Sequence, residues 1–356
     1  MLAIKQRPYE DVLSLKQVET DPVLYRILVS RGIKTVEDIN CNLRDLFHYK
    51  DLKDIEKASD ILADAVLGKK KILISGDYDV DGVTGTALGV HFFRDLGLDN
   101  IIYHVPSRYE EGYGLSEEIV DFAIENNVEI LLTVDNGISC SEVVTYAKEK
   151  GLTVIITDHH EVVEFPKDAD ACVDPKREDC QFASKNLSGV GVLFYVLLAV
   201  RAKLNEKNFF ANRPIVDIKK YLDFVATGTI GDVVELDANN RRLVKGGLKL
   251  MHQGQAHVGL AAIFDVVKRN ICQVNSRNLA FELCPRINAS GRLPSEKNYA
   301  LECLLANNYE EALEYAKTLD NFNRRRVDYE NAFIEEAKQI AQKDPQEHVV
   351  CVMSKS

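Results

Sequence analysis

The sequence holds no Cys-x-x-Cys pair, no Gly-x-x-x-x-Gly-Lys-Ser/Thr loop, no low-complexity tract, no internal repeat and no long apolar run. Its eight cysteines are scattered between positions 41 and 351, which excludes zinc ribbons and thioredoxin-like redox motifs and predicts reduced, mostly buried thiols. Without a phosphate-cradling glycine loop and its lysine, a P-loop nucleoside triphosphatase is unsupported. The longest apolar stretch, 190–200, falls well short of the ~18–20 residues that a membrane span needs. The opening Met-Leu-Ala-Ile-Lys-Gln-Arg-Pro has neither an apolar core nor a small-residue cleavage site, so a cytoplasmic protein with no membrane association is expected. An excess of positive charge is missing too. There are 44 Lys and Arg against 55 Asp and Glu, a formal charge of -11, which argues against a basic nucleic-acid coat but leaves room for a metal-lined cleft that handles nucleic acid.

What is present is a core-forming chain of 356 residues, 46% hydrophobic and 28% charged, with the length of about two domains. Residues 1–70 have helix-like spacing, as at 54–65, and no strand signal, which predicts a helical N-terminal extension. From Lys71 short β-rich runs at 71–75, 101–105, 130–134 and 152–157 alternate with helical patterns near 82–96, 116–126 and 141–150. Continuous Ile/Leu/Val strands that alternate with helices predict an α/β fold with a parallel sheet flanked by helices. Beyond Ala171 the pattern is mostly helical, at 190–202, 218–228, 240–251 and 258–267, with a long C-terminal helix from Tyr309 to about Ala341. Residues 348–353 read as the first strand of something further.

Three of the four expected strands run into polar clusters: Gly76-Asp77-Tyr78-Asp79-Val80-Asp81-Gly82, Asp135-Asn136-Gly137 and Asp158-His159-His160. Ligands in open parallel sheets sit outside the carboxyl ends of the strands, so the three clusters are expected to converge on one crevice. A single acidic loop is usually a solvated turn, but that reading must hold three times at one sheet edge, beside adjacent histidines. Carboxylates with imidazole and no thiolate suit manganese or magnesium better than zinc or copper, and four or more carboxylates together need divalent cations to neutralise them. An EF-hand is excluded, because Leu88 stands where its bidentate Glu belongs and a strand precedes the loop. Asp79-Val80-Asp81-Gly82-Val83 also fits a haloacid-dehalogenase-type nucleophile loop, a weaker reading that leaves Asp158-His159-His160 without a role. Gly189-Val190-Gly191 lacks the third glycine of a dinucleotide fingerprint and is expected to let the following helix approach its neighbour closely. His91 and His104, with no acidic residue beside them, read as structural.

The Asp-His-His triplet after a strand, downstream of Gly-Asp-Tyr-Asp-Val-Asp-Gly, resembles the DHH phosphoesterases. Within them the chain is similar to the RecJ branch of single-strand-specific exonucleases. That likeness extends over residues 106–114, 134–138, 187–191, 228–234, 240–244 and the run Pro285-Arg286-Ile287-Asn288-Ala289-Ser290-Gly291-Arg292. The resemblance implies a metal-dependent 5'-to-3' exonuclease acting on single-stranded DNA in repair and recombination. It uses two divalent cations, Mn2+ preferred or Mg2+, to hydrolyse phosphodiesters without a protein nucleophile. By similarity Asp79, Asp81, Asp135, His159 and Asp232 are metal ligands, Asp135 is the bridge, and Asp77 is a further candidate. Many family members carry His where this chain has Ser75, which opens one coordination position to Asp77 or water. His160, with Asp135 and Asp158, is placed at the scissile phosphate, a role suited to imidazole near neutral pH. Arg108, Arg286, Asn288, Ser290 and Arg292 are expected to hold a 5'-phosphate or the adjoining backbone, with neutralisation of the acidic site as the alternative for Arg286 and Arg292. Tyr109 and Tyr113 offer faces for base stacking or for core packing. Arg324-Arg325-Arg326 is a solvated or interdomain face, or a backbone contact.

The same resemblance divides the chain into a helical extension at 1–70, a catalytic domain at 71–305, a connecting helix at 306–344 and the start of a second domain at 345–356. It implies a chain that stops inside that second domain, able to bind metal but weakened in its grip on DNA. Single-strand-binding protein or helicase partners are implied as well. Two rivals remain: a DHH enzyme for small substrates, such as an oligoribonuclease, a cyclic-dinucleotide phosphodiesterase or a pyrophosphatase, and a non-catalytic DNA-binding or replication scaffold of the same fold.

Overall fold

Alternate strand residues divide between two cores. Leu73, Leu131, Val154 and Ile156 enter one, while Ile72, Ile74, Ile130, Leu132, Val134 and Ile155 enter the other. Strands buried on both faces must be apolar at every position, which is why these runs lack alternation. The computed structural model, which describes residues 5, 8–17, 21–106, 114–291, 297–342 and 353, builds from them a parallel sheet. Its strands are β1 (Ile72–Gly76), β2 (Ile101–His104), β3 (Ile130–Val134), β4 (Thr153–Thr157) and β5 (Ala171–Val173), in the order β2-β1-β3-β4-β5. The first four strands lie where the sequence predicts them. The fifth is a three-residue edge strand in a segment expected to be helical or irregular. The order reverses between β1 and β3, so a crevice opens at the carboxyl ends of those two strands.

Three short helices, α1 (Leu13–Lys16), α2 (Pro22–Ser30) and α3 (Val36–Asn40), open the chain, and α2 starts where the Asp21 side chain accepts from Val23 and Leu24 N–H. Leu15, Tyr25, Val29 and Ile33 form a small cluster separate from the main core. The expected boundary at residue 70 cuts through packed structure, however. Leu52 and helix α4 (Ile55–Gly68) bury Ile55, Ala58, Leu62 and Val66 in the main core, so the sheet's covering layer begins some twenty residues before β1.

Helices α5 (Val80–Asp95) and α8 (Gly189–Glu206) join α4 on one face of the sheet, and α6 (Glu117–Glu125) and α7 (Ser141–Glu149) cover the other. A helical layer follows on the α5 side: α9 (Leu222–Gly231), α10 (Ala238–His252), α11 (Val258–Val266), the one-turn α12 (Ser276–Asn278), α13 (Cys284–Ser290), α14 (Tyr299–Leu305) and the long α15 (Tyr309–Ala341). The expected connecting helix belongs partly to this layer, since α15 buries Ala312, Ala316 and Leu319 against it while its later turns are exposed. No described helix is long and apolar enough to cross a membrane. The described cysteines are all unpaired, and Cys172, Cys180, Cys284 and Cys303 are buried. The strand expected at 348–353 and the second domain expected at 345–356 lie outside the described residues, Met353 apart.

Candidate metal centre

β1 delivers the chain into Asp77-Tyr78-Asp79, and Asp79 ends this loop by capping α5. Its Oδ1 accepts from the N–H groups of Asp81 (2.8 Å) and Gly82 (3.2 Å), two donors that a helix start leaves without partners. Asp81 is thereby set in the first turn of α5 and is fully buried. Its two oxygens accept from Gly189 N–H (2.5 Å) and Val190 N–H (3.0 Å) at the start of α8, so two helix N-termini converge on one carboxylate. Gly189 permits this approach. A Cβ there would fall on the Asp135 side chain and within 2.8 Å of the Asp135 Cα. The close approach expected of Gly189-Val190-Gly191 is therefore made by its first glycine.

Asp135 follows β3 in the left-handed region (φ 65°), with its N–H donating to the Thr157 carbonyl of β4. The turn beyond β4 is organised by Asp158. Its Oδ2 accepts from Ile138 N–H (2.9 Å), while Oδ1 accepts from His159 N–H (2.7 Å) and His160 N–H (3.2 Å) and lies 2.7 Å from His160 Nδ1. Asp158 is thus a positioning residue for the two histidines, with its oxygens already taken up. His159 Nε2 lies 3.0 Å from Asp135 Oδ1, 3.6 Å from Asp232 Oδ2 and 3.8 Å from Asp81 Oδ2, bringing together the ends of β3, β4, α5 and α9. Val233, next to Asp232, also has a positive φ (64°), a strained conformation for a β-branched residue.

The ligand atoms form three overlapping groups, each within 4.8 Å: Asp77, Asp79 and Asp135; Asp135, His159 and His160; and Asp81, His159 and Asp232. Asp135 belongs to two of them. Asp77 Oδ1, Asp135 Oδ1 and His159 Nε2 are buried without a hydrogen-bond partner, in a protein interior where such atoms are nearly always satisfied. Burial and the neighbouring Asp79 push the Asp77 carboxyl up to about 7, and the same two causes push Asp232 up to about 6. Asp81 and Asp135 are driven well above the carboxylate range by burial and then by the surrounding carboxylates. Burial and the adjacent His160 push His159 down to about 4, which keeps its imidazole neutral and able to donate a lone pair. His160 is raised, chiefly by its hydrogen bond to Asp158. Asp158 is itself held below its usual value, because the bonds from His160 and the backbone outweigh its burial. Orphaned hard donors and carboxylates that cannot all ionise together fit divalent cations with oxygen and imidazole ligands.

All six expected metal ligands and His160 therefore meet in one place. Of the expected phosphate holders, the three described ones, Arg286, Asn288 and Ser290, each have a protein partner. Arg286 donates through Nε (3.0 Å) and Nη2 (2.8 Å) to Asp320 of α15 and through Nη1 to the Glu282 carbonyl, so its guanidinium holds two helices together. Ser290 is buried and its hydroxyl accepts from Ala300 N–H (3.3 Å), while Asn288 Oδ1 accepts from Val80 N–H (2.8 Å) and docks α13 on the start of α5. Arg108, Tyr109, Tyr113 and Arg292 lie outside the described residues. Arg324 pairs with Asp320 and Arg326 with Glu330. His91 Nε2 lies 2.9 Å from the Leu304 carbonyl oxygen. Ser75 Oγ is buried and unpartnered, and Asp77 supplies a carboxylate two residues on. Sequence reasoning missed Asp174 and Lys176, which follow β5 beside the histidines. An Asp-Pro-Lys-Arg run after so short a strand gives no periodic signal.

Comparison with known proteins places this geometry among relatives. The model of the DHH family, N-terminal domain, matches residues 71–229. The single-stranded-DNA-specific exonuclease RecJ of Haemophilus influenzae is 42% identical over 325 residues, covering 91% of this chain and 56% of that protein. The chain thus spans little more than half the length of that curated relative. Among solved structures, exonuclease RecJ bound to manganese is similar with a TM-score of 0.71 at 35% identity, covering 80% of this chain and 69% of the other. RecJ from Thermus thermophilus in complex with Mn2+ gives 0.73 at 32% identity, covering 87% and 43%.

Proposed function

The chain belongs to the RecJ branch of the DHH family, and from that membership we propose that it carries the catalytic centre of a 5'-to-3' exonuclease that hydrolyses phosphodiester bonds of single-stranded DNA. The observation that carries the reading is the overlap of the ligand groups at Asp135 and His159, with Asp77 Oδ1, Asp135 Oδ1 and His159 Nε2 buried and making no hydrogen bond. Asp77, Asp79 and Asp135 would hold one divalent cation, and Asp81, His159 and Asp232 a second, with Asp135 Oδ1 3.0 Å from His159 Nε2 between the two groups, Mn2+ or Mg2+ as in the solved relatives. Two such ions, when bound, supply a hydroxide near neutral pH and neutralise charge on the attacking and leaving oxygens.

The chain's own residues do the rest. Asp158 fixes the His160 ring through Nδ1 and favours its protonated form, from which the half-exposed ring would donate a hydrogen bond, then a proton, to the oxygen that leaves. Neutral His159 stays in the ligand set. Asp81 keeps α5 and α8 locked, so the ligands do not reorganise when substrate arrives. A 5'-phosphate preference rests on Arg108 and Arg292, with recruitment by single-strand-binding protein or a helicase and a cytoplasmic site of action as parts of the same reading. The proposed catalytic unit begins near Leu52 and includes the first half of α15.

The test is to incubate single-stranded DNA, 5'-phosphorylated and labelled at either end, with Mn2+ and the protein or its Asp135→Ala variant. Mononucleotides released from the 5' end by the unmutated protein alone support the reading. Cleavage restricted to di- or trinucleotides or pyrophosphate favours a small-substrate enzyme, and metal-independent binding without cleavage favours a scaffold.

A further inference from the structure

We propose that Lys176 binds a phosphate of the substrate at the rim of the metal centre, and that the pocket beside it receives the nucleoside attached to that phosphate. The inference rests on the exonuclease reading and deepens it. Lys176 stands in the loop Asp174-Pro175-Lys176-Arg177 that follows β5. This loop is tied to the histidine turn, because Asp158 N–H donates to the Val173 carbonyl (3.1 Å). Asp174 is fully buried, and its Oδ1 accepts from Lys176 N–H (2.7 Å), which fixes the lysine backbone.

The two cations of the loop have different fates. The Arg177 guanidinium is committed to structure: it donates to Asp54 (2.7 Å), the Cys172 carbonyl (2.6 Å) and both oxygens of Asp179 (2.9 Å), and it lies over the Phe165 ring at 4.6 Å. Among the described residues, the Lys176 ammonium has one ion-pair partner, and it is an exchangeable one. Its Nζ lies 3.3 Å from Glu161, a residue immediately after His160 whose side chain is 83% exposed. A surface pair of this kind is weak and gives way to a doubly charged or metal-held anion. Lys176 is also near enough for its charge to bear on His159, His160 and Asp232.

The adjoining cavity has a volume of about 440 Å³ and is lined by Glu161, Val162, Phe165, Lys176 and Arg177 among others. That size suits a small ligand or one nucleoside, with Val162 and Phe165 as its apolar lining between the cations Lys176 and Arg177 and the carboxylates Glu161, Glu178 and Asp179. Electrostatics asks for a cation here. The five aspartates of the centre, if ionised, outweigh two divalent ions by one negative charge, so an incoming phosphodiester is repelled unless a cation stands at the rim. A lysine serves as a compact point charge that follows the phosphate as it moves.

Lys176→Gln and Lys176→Arg, assayed in Mn2+ on 5'-phosphorylated single-stranded DNA across a range of salt, test the proposal. Lys176→Gln is expected to raise KM about tenfold, to leave kcat within about threefold, and to flatten the salt dependence of binding by roughly 0.7 in the log–log slope, the loss of one phosphate contact. Lys176→Arg is expected to recover most of the KM. Unchanged KM and salt slope in Lys176→Gln, with the unmutated protein active, overturn the lysine's role and leave the exonuclease reading standing. A fall in kcat with weakened Mn2+ binding and no salt effect also overturns it, as the mark of a structural residue. If the unmutated protein releases nothing, both ideas fall together.

Discussion

Asp158, expected in the reacting set, makes a 2.7 Å hydrogen bond to His160 Nδ1 that anchors the ring. The hydrogen bond between them stabilises the imidazolium and raises its pKa, so Asp158→Asn lowers it. The expected outcome is an alkaline limb of the pH–rate profile that moves to lower pH, with activity near pH 7.5 falling ~10–100-fold, the usual cost of losing a partner of this kind. An unmoved limb would mean that Asp158 does not govern His160. The carboxylate cluster gives a second prediction. Without metal, Asp77 and Asp232 titrate at about 7 and about 6 in the folded protein against an ordinary 3.8, so the folded state binds more protons than the unfolded one and stability falls as pH rises through that interval. His91, pushed down to about 4 by burial and by His257, acts in the opposite sense. It is common to both metal states, so the readout is the difference between melting curves in Mn2+ and in chelator. That gap is expected to be small at pH 5, to widen by several degrees at pH 7.5, and to disappear in Asp135→Asn. A gap independent of pH would contradict it.

Among the elements, α13 carries the segment expected to grip DNA, yet its Arg286 is spent on α15. Asp320 is nearly buried, so Arg286→Ala strips a charge partner from it and leaves Arg324 as the remaining one. The expected loss is ~1–3 kcal/mol of stability with KM on DNA unchanged. A raised KM with an unaltered melting midpoint would return Arg286 to the substrate. The residue types announced phosphate chemistry, but the partner lies 34 residues away on another helix, and no local pattern records that. The three clusters were legible for the converse reason, while Asp232, at the end of α9, was placed in the set by family resemblance alone. Asp77, Asp79, Asp81, Asp135 and His159 each follow a continuous Ile/Leu/Val strand, and parallel strands bring their carboxyl ends together whatever lies between them. β5 was hidden because three residues are too few to show a period, and Lys176 was hidden with it. Helix α4 was visible as a helix, but its amphipathic spacing does not say which core its apolar face enters.

At the scale of the molecule, α15 is the element that leaves the body. Its 33 residues span about 50 Å, and the apolar side chains that it buries all precede Asp320. A chain ending at Asp328 is therefore expected to keep its melting midpoint within a few degrees, whereas one ending at Asn308 loses the cover of α11, α13 and α14 and unfolds at far lower temperature or fails to fold. Equal midpoints for the two would show that α15 contributes nothing to the core. What unites the fold with the chemistry is Asp135, held in a left-handed turn at the point where the strand order reverses, against a glycine that lets α8 close over it. Titration with Mn2+ followed by electron paramagnetic resonance tests that directly. Two equivalents are expected to bind, with a spin-coupled spectrum as from ions about 3.5–4 Å apart, and the coupling is expected to be lost in Asp135→Asn. A single equivalent, or two ions with independent signals, would contradict a centre bridged by Asp135.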